Sequence, residues 1–193
     1  APQKLVLLDH SEFALYTIQQ ELAEMQMEAA GSYPEIVPVV GSILNADLLR
    51  EVLHKHGVDT IYHAAAYKHV PLLEHNEIAG VENNVFGTMN VAELSAQAGA
   101  KFVLISTDKA VDPSSVMGAT KRIMEDVLFC HENSTPISTA RFANVAFSDG
   151  SLLHGFRQRL MLRQPLSAPR PVGRRTHSRA VRARGAPREC SPP

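Results

Sequence analysis

At the end of the apolar run Lys101 to Ile105 the chain places Ser106-Thr107-Asp108-Lys109 in succession. Hydroxyls, a carboxyl and an amine in one short stretch offer a hydrogen-bond donor, a general acid and a general base. A solvated turn has the same composition, so these residues alone leave both readings open. Twelve residues after Lys109 comes Lys121, preceded by Met117-Gly118-Ala119-Thr120. On a helix Met117 and Lys121 are i and i+4 and share a face. The pair is either a continuation of the same chemistry or a core methionine beside a surface lysine.

Two further polar stretches follow apolar runs. Asp9 comes directly after Lys4-Leu5-Val6-Leu7-Leu8. A carboxylate at such a strand end can accept both hydroxyls of an adenosine ribose, favouring NAD over its 2′-phosphorylated form. It can equally be a charge that suits a helix N-terminus. Ala64-Ala65-Ala66-Tyr67-Lys68-His69 follows the run from Thr60. Its small residues let backbone approach a flat cofactor, and Lys68 can meet phosphate or sugar oxygens. Tight packing followed by a solvated charge is the alternative.

These residues need a scaffold, and the pattern supplies one. Lys4 to Leu8, Ile36 to Val40, Thr60 to Ala64, Lys101 to Ser106 and Ile137 to Phe142 read as strands, the apolar ones of the kind buried in a parallel sheet. Between them, helices are predicted from Ser11, a good N-cap, to about Ala30, over Ala46 to His56, from Glu77 to Ala98, ended by Gly99, and from Ser115 to His131. Strands alternating with helices imply right-handed crossovers and an α/β doubly wound parallel sheet of Rossmann type. In such a sheet ligands sit beyond the carboxyl ends of the strands, where all three polar stretches fall.

The composition, 45% apolar, 20% charged and 6% aromatic over 193 residues, suits one α/β domain with a sizeable core. No run of 18 apolar residues exists, which excludes a membrane-spanning helix, and nothing resembles a secretory leader. Cys130 and Cys190 lack metal-ligand or disulfide spacing, so a cytoplasmic location is expected and a metal site is not. Charge is divided unevenly. Residues 157–193 carry ten Arg against one acid, Glu189, six of the twelve prolines and no aromatic side chain. The sequence therefore predicts two parts, residues 1–156 as the folded domain and 157–193 as an Arg/Pro-rich tail too poor in apolar surface to order itself.

Ser106-Thr107-Asp108-Lys109-Ala110-Val111 and Met117-Gly118-Ala119-Thr120-Lys121-Arg122 together resemble the active-site segment of the extended short-chain dehydrogenase/reductases. More narrowly, the chain is similar to the polysaccharide biosynthesis (CapD-like) UDP-N-acetylglucosamine 4,6-dehydratases. His63-Ala64-Ala65-Ala66-Tyr67-Lys68-His69-Val70-Pro71, Asn84-Val85-Phe86-Gly87-Thr88 and Arg141-Phe142-Ala143-Asn144-Val145 match the same group in order and spacing. The resemblance implies a lyase of bacterial surface polysaccharide or glycan biosynthesis that converts a UDP-N-acetylhexosamine to its 4-keto-6-deoxy derivative. NAD would take hydride from sugar C4 and return it to C6. Lys109 would remove the C5 proton, Asp108 would protonate the departing 6-hydroxyl, and Thr107 would sit near the C4 hydroxyl. Most of the wider superfamily has Tyr four residues before the lysine; here Met117 stands there, as in the branch that retains configuration at C5. Lys121 would hold the nicotinamide ribose. The remaining cofactor contacts implied are Asp9, Ser11, Ser42, Ile43, Ala64, Ala65, Ala66, Lys68 and Asn84, with Lys68 and Asn144 facing the substrate.

Family members open with a strand and a Gly-rich turn that cradles pyrophosphate. The chain is expected to lack both, since nothing before Leu5 can form them. In the strand order 3-2-1-4-5-6 that strand is central, so Leu5 to Leu8 and Thr60 to Ala64 are expected to lose their shared neighbour. The resemblance also fades into the Arg/Pro tail, an abrupt switch that either a shifted reading frame or a genuine basic arm would produce. Three functional readings follow: an incomplete dehydratase, a non-catalytic domain completed by a partner strand, or a basic-tailed binder of nucleic acid or other anions. The tail has no aromatic residue for base stacking, which ranks the last reading lowest. Homo-oligomerisation stays open.

Overall fold

The computed structural model describes residues 2–28, 33–130, 135–146 and 151–165. The chain divides into two compact units, Ala1–Ala143 and Asn144–Pro193.

The first unit is α/β with parallel strands. β1 (Lys4–Asp9) pairs with β2 (Glu35–Val40) from Lys4↔Glu35 to Asp9↔Val40, joined through α1 (Glu12–Glu28). A second sheet has the order β3-β4-β5, formed by β3 (Thr60–His63), β4 (Lys101–Thr107) and β5 (Ile137–Phe142). The doubly wound sheet is thus present in two pieces. Among the described residues β1 and β3 share no strand neighbour.

The helices of this unit follow the sequence pattern with two differences. α2 (Ala46–His56) is capped by Asn45, which accepts from Leu48 N, and it presents Leu49 and Val52 to the core. The single helix expected over Glu77 to Ala98 is instead α4 (Glu77–Gly80), a π-helical stretch over Val81–Phe86, and α5 (Gly87–Ala98). Gly99 ends α5 at φ 67°, where a residue without Cβ is unstrained. A short α3 (Val70–Leu73) begins on Pro71 and was not anticipated. α6 (Val116–Phe129) follows an N-cap by Ser115, whose hydroxyl accepts from Gly118 N at 3.1 Å.

The core lies where α5 and α6 pack on β4. Phe102, Leu104 and Met124 are fully buried there, joined by Val91, Ala92, Leu94 and Leu128. Alternate β4 residues point inward, so Ser106 lies on the buried side and Thr107 is only half-buried.

In the second unit α7 (Leu152–Met161) begins at Ser151, whose hydroxyl accepts from His154 N at 3.2 Å. This helix corrects the sequence reading of an irregular tail from residue 157, because it continues five residues beyond Phe156. The expected tail is otherwise outside the described residues from 166 onward. No helix among the described residues is long and apolar enough to cross a membrane.

Candidate active site

β4 delivers Thr107 at its carboxyl end, and the next three residues close one 3₁₀ turn, Asp108–Ala110. That turn gathers the three reactive groups. Thr107 Oγ1 donates to Asp108 Oδ1 at 3.0 Å, and Lys109 Nζ donates to the same oxygen at 3.2 Å. Lys109 N donates to Thr107 Oγ1 at 3.4 Å, which holds the turn closed. Ala110, fully buried, anchors its far side. Partial burial pushes the Asp108 carboxyl up, but hydrogen bonds from Thr107 and Lys109 and the lysine's charge outweigh it and hold the group below the usual carboxylate range. Asp108 is therefore ionised and forms an ion pair with Lys109.

Lys121 is no surface lysine. Only 7% of it is exposed, and its Nζ donates to Ile105 O at 2.9 Å, tying α6 to β4 directly behind the reactive turn. Burial lowers its pKa to about 8, a fall that the carboxylate of Glu125 partly opposes. Met117, one turn earlier on the same face, is buried. α6 approaches the turn closely: a Cβ on Gly118 would lie 2.7 Å from Lys109 O.

Glu125 and His63 complete this region, and neither was singled out from sequence for a role. Glu125, 1% exposed, takes a bidentate ion pair from Arg141 of β5, with Arg141 Nε 2.9 Å from Oε1 and Nη2 on Oε2. Burial raises the Glu125 pKa, but the Arg141 hydrogen bonds and the charges of Arg141 and Arg122 bring it below the ordinary value. The spacing of Glu125 four residues after Lys121 was the available signal. His63, buried at the end of β3, has Nε2 2.8 Å from Thr88 Oγ1. Thr88 donates its one proton to Asn84 O at 2.6 Å, so it must accept from His63, which fixes Nε2–H as the neutral tautomer. Burial, with the nearby Lys121 charge, lowers the His63 pKa to about 4.

A second cluster forms at the carboxyl ends of β1 and β3. A cavity of about 140 Å³ is lined by Asp9, Ser42, Ile43, Ala64, Ala65 and Ala66, together with Gly41, Tyr67 and Asn83. Asp9 accepts from Ser11 N at 2.7 Å, and Ser11 Oγ in turn accepts from Ala14 N to cap α1. Ser11 and Lys68 do not line the cavity; Lys68 is exposed on the following loop.

Asn84, expected as a cofactor contact, lies against the Ala64–Tyr67 loop. It is fully buried, accepts from Tyr67 N at 2.8 Å, and donates to Tyr67 O at 3.1 Å and Thr120 Oγ1 at 3.0 Å. With every polar atom committed to protein, it clamps the Ala64–Tyr67 loop to α6. The residue lies within the π-helical stretch Val81–Phe86. Asn144, the expected substrate contact, opens the second unit.

The residues present suit the two ribose ends of a dinucleotide: a carboxylate among small residues at one, a buried ammonium at the other. A pocket that swallows a ligand of that size is usually ~300–1,000 Å³, so the 140 Å³ cavity holds one end at most. No glycine-rich phosphate turn is found among the described residues. Neither is any group of three or more side chains disposed to hold a metal ion.

A family model described as polysaccharide biosynthesis protein matches residues 1–172. Over 175 residues the chain is 45% identical to the capsular polysaccharide biosynthesis protein CapD of Staphylococcus aureus, covering 88% of this chain and 28% of that protein. It is 31% identical over 147 residues to the UDP-N-acetylglucosamine 4,6-dehydratase (inverting) of Campylobacter jejuni, covering 72% of this chain and 43% of the other. The chain thus spans less than half the length of either relative. Among solved structures, Pen from Bacillus thuringiensis superposes with a TM-score of 0.73 at 28% identity, over 83% of this chain and 48% of that one. DesIV, a dTDP-glucose 4,6-dehydratase from Streptomyces venezuelae solved with NAD and TYD bound, has the same fold, with a TM-score of 0.65 at 22% identity over 82% of this chain and 62% of its own.

Proposed function

Because the chain belongs to the polysaccharide biosynthesis protein family, we propose that its site serves the NAD-dependent removal of water from a UDP-N-acetylhexosamine, giving the 4-keto-6-deoxy sugar. The observation that carries this reading is the Thr107–Asp108–Lys109 turn, where a carboxylate and an amine are hydrogen-bonded 3.2 Å apart. Loss of water from a 4-keto sugar needs a base at C5 and an acid at the 6-hydroxyl. Hydride acceptance and return are the chemistry that NAD supplies when bound.

The residues divide that work. At rest the Asp108 carboxyl is ionised, as its lowered pKa requires, and it accepts from Lys109 Nζ. Transfer across the Asp108–Lys109 hydrogen bond gives a neutral amine, able to take the C5 proton, and a neutral acid, able to protonate the leaving hydroxyl. Thr107 holds the carboxyl in place through this exchange. Met117 contributes no proton and keeps water from the face that Lys121 shares. Lys121 carries a positive charge below about pH 8 and supplies donors for a ribose hydroxyl. Asp9 suits the opposite ribose, with Ala64, Ala65 and Ala66 as a flat wall.

The test is to incubate the protein with NAD⁺ and UDP-N-acetylglucosamine in deuterated water and read the product by mass spectrometry and proton NMR. The expected product has lost one water and carries deuterium, with configuration at C5 retained. Lys109→Met should abolish both changes. A product epimerised at C4 without water loss, or water loss that persists in Lys109→Met, would overturn the assignment.

A further inference from the structure

Beside Asp9, two loops wall the 140 Å³ cavity, and both are fastened to one stretch of helix. The first wall, Ala64 to Ala66, runs into Tyr67, whose main chain is held by the Asn84 side chain. The second is formed by Ser42 and Ile43, which begin a tight turn. That turn is closed by Asn45 N on Ser42 O at 3.0 Å and by Leu44 N on Ser42 Oγ at 3.2 Å. Its next two carbonyls are taken by a single group from outside. Asn90 Nδ2 of α5 donates to Ile43 O at 3.2 Å and to Leu44 O at 3.4 Å.

The Ile43 side chain meets α5 as well. A Cβ on Gly87 would lie 2.3 Å from Ile43 Cδ1 and 2.7 Å from Cγ1, but 3.8 Å from Ile43 Cβ. The isoleucine therefore fills the volume that any other residue at 87 would need. It is buried in the same core cluster as Leu49 and Val91, and it lines the cavity too. A close-packed side chain has little room to yield, so pushing Ile43 off Gly87 moves the cavity wall with it. The helix itself does not call for this glycine. Its φ of −59° suits any residue, and glycine weakens a helix relative to alanine.

We infer that Gly87 and Asn90 are positioning residues for the adenosine end of the dinucleotide: they set where the Ser42–Leu44 turn stands, and so the width of the Asp9 cavity. Neither residue lines that cavity, so both act through Ile43 and its turn. The inference rests on the reading that Asp9 and Ala64 to Ala66 receive the adenosine ribose. With Asn84 holding the other loop, the stretch from Asn84 to Asn90 is a gauge that keeps the two walls apart.

The experiment measures AMP binding to the full chain by calorimetry, with urea unfolding and amide hydrogen exchange of each variant alongside. Gly87→Ala should weaken AMP binding about fivefold or more. In an Ile43→Ala background, where both clashing atoms are gone, the same substitution should change binding by less than about twofold. Asn90→Leu keeps the bulk of the side chain and removes its donor. It should weaken AMP binding about threefold or more and speed exchange across Ser42–Leu44, with the urea midpoint nearly unchanged. Asn90 is half-buried, so this variant gives the answer even where Gly87→Ala fails to fold. An equal cost of Gly87→Ala in both backgrounds, or unchanged AMP binding in Asn90→Leu, would overturn the inference, while binding by the wild type still upholds the cofactor reading. A wild type that binds no AMP would overturn that reading and this inference with it.

Discussion

Acid should destabilise the first unit through His63, and the size of the effect follows from its burial. The imidazole is neutral in the fold, with a pKa of about 4 against 6.5 in the unfolded chain. A base whose folded pKa is depressed contributes stability that is complete above the unfolded pKa and is lost as pH falls toward the folded one. The window here therefore runs from about pH 6.5 down to about pH 4. Integrating proton uptake between about pH 7.5 and pH 4.5 gives a loss of about 2.5 kcal/mol from this one group, at 1.36 kcal/mol for each unit of pKa difference. Many other groups titrate in that interval, so the measurement has to be a comparison. His63→Gln keeps a donor at the position of Nε2 for Thr88 and removes the titration. It also gives up the tilted contact with the Phe102 ring, whose centroid lies 5.6 Å away, but that penalty does not vary with pH. Urea unfolding of both proteins across the interval should show the wild type losing about 2.5 kcal/mol more than the variant. Parallel pH profiles, differing by less than about 0.5 kcal/mol, would refute the claim that His63 is held neutral by its surroundings.

Three other outcomes are expected. Arg141→Met strands the Glu125 carboxylate in the core and should cost about 3 kcal/mol in urea unfolding, the lower end for breaking a buried pair because Arg141 is itself 40% exposed. Gly118→Ala drives a Cβ against the Lys109 carbonyl, which as backbone cannot swing away; a loss of about 1–3 kcal/mol is expected, with C5 proton exchange reduced more than substrate binding. Binding of NAD⁺, measured by calorimetry, should weaken as pH rises through about 8, where Lys121 loses its charge, and Glu125→Gln should move that weakening to lower pH because Glu125 supports the charged form.

The parts of the fold that local pattern encodes were readable. The apolar runs Lys4 to Leu8 and Lys101 to Ser106, the Ser11 cap and the Gly99 stop each place an element with no knowledge of its neighbours. What escaped depends on contacts between distant segments. The π-helical stretch carries Asn84, whose side chain reaches Tyr67 and Thr120, 17 and 36 residues away, and no helix propensity reports those contacts. In the same way nothing in the sequence indicated that Asn84 ties the Ala64–Tyr67 loop to α6 through its side-chain amide. Glu125 shows the limit from the other side. Its spacing from Lys121 was visible, but its importance rests on Arg141, a β5 residue that sequence separation hides. The reactive turn was legible as chemistry, whereas the ion pair that sets its resting protonation is a fact of geometry.

The unpaired edge of β1 also bears on how long the molecule survives. None of the residues of β1 and β2 is buried, and α1 adds only Leu15 to the interior, while β4, α5 and α6 hold most of the core. Stability is therefore graded along the chain, and the segment up to about Val40 can open while the remainder stays folded. Proteases act on such open forms in proportion to their population.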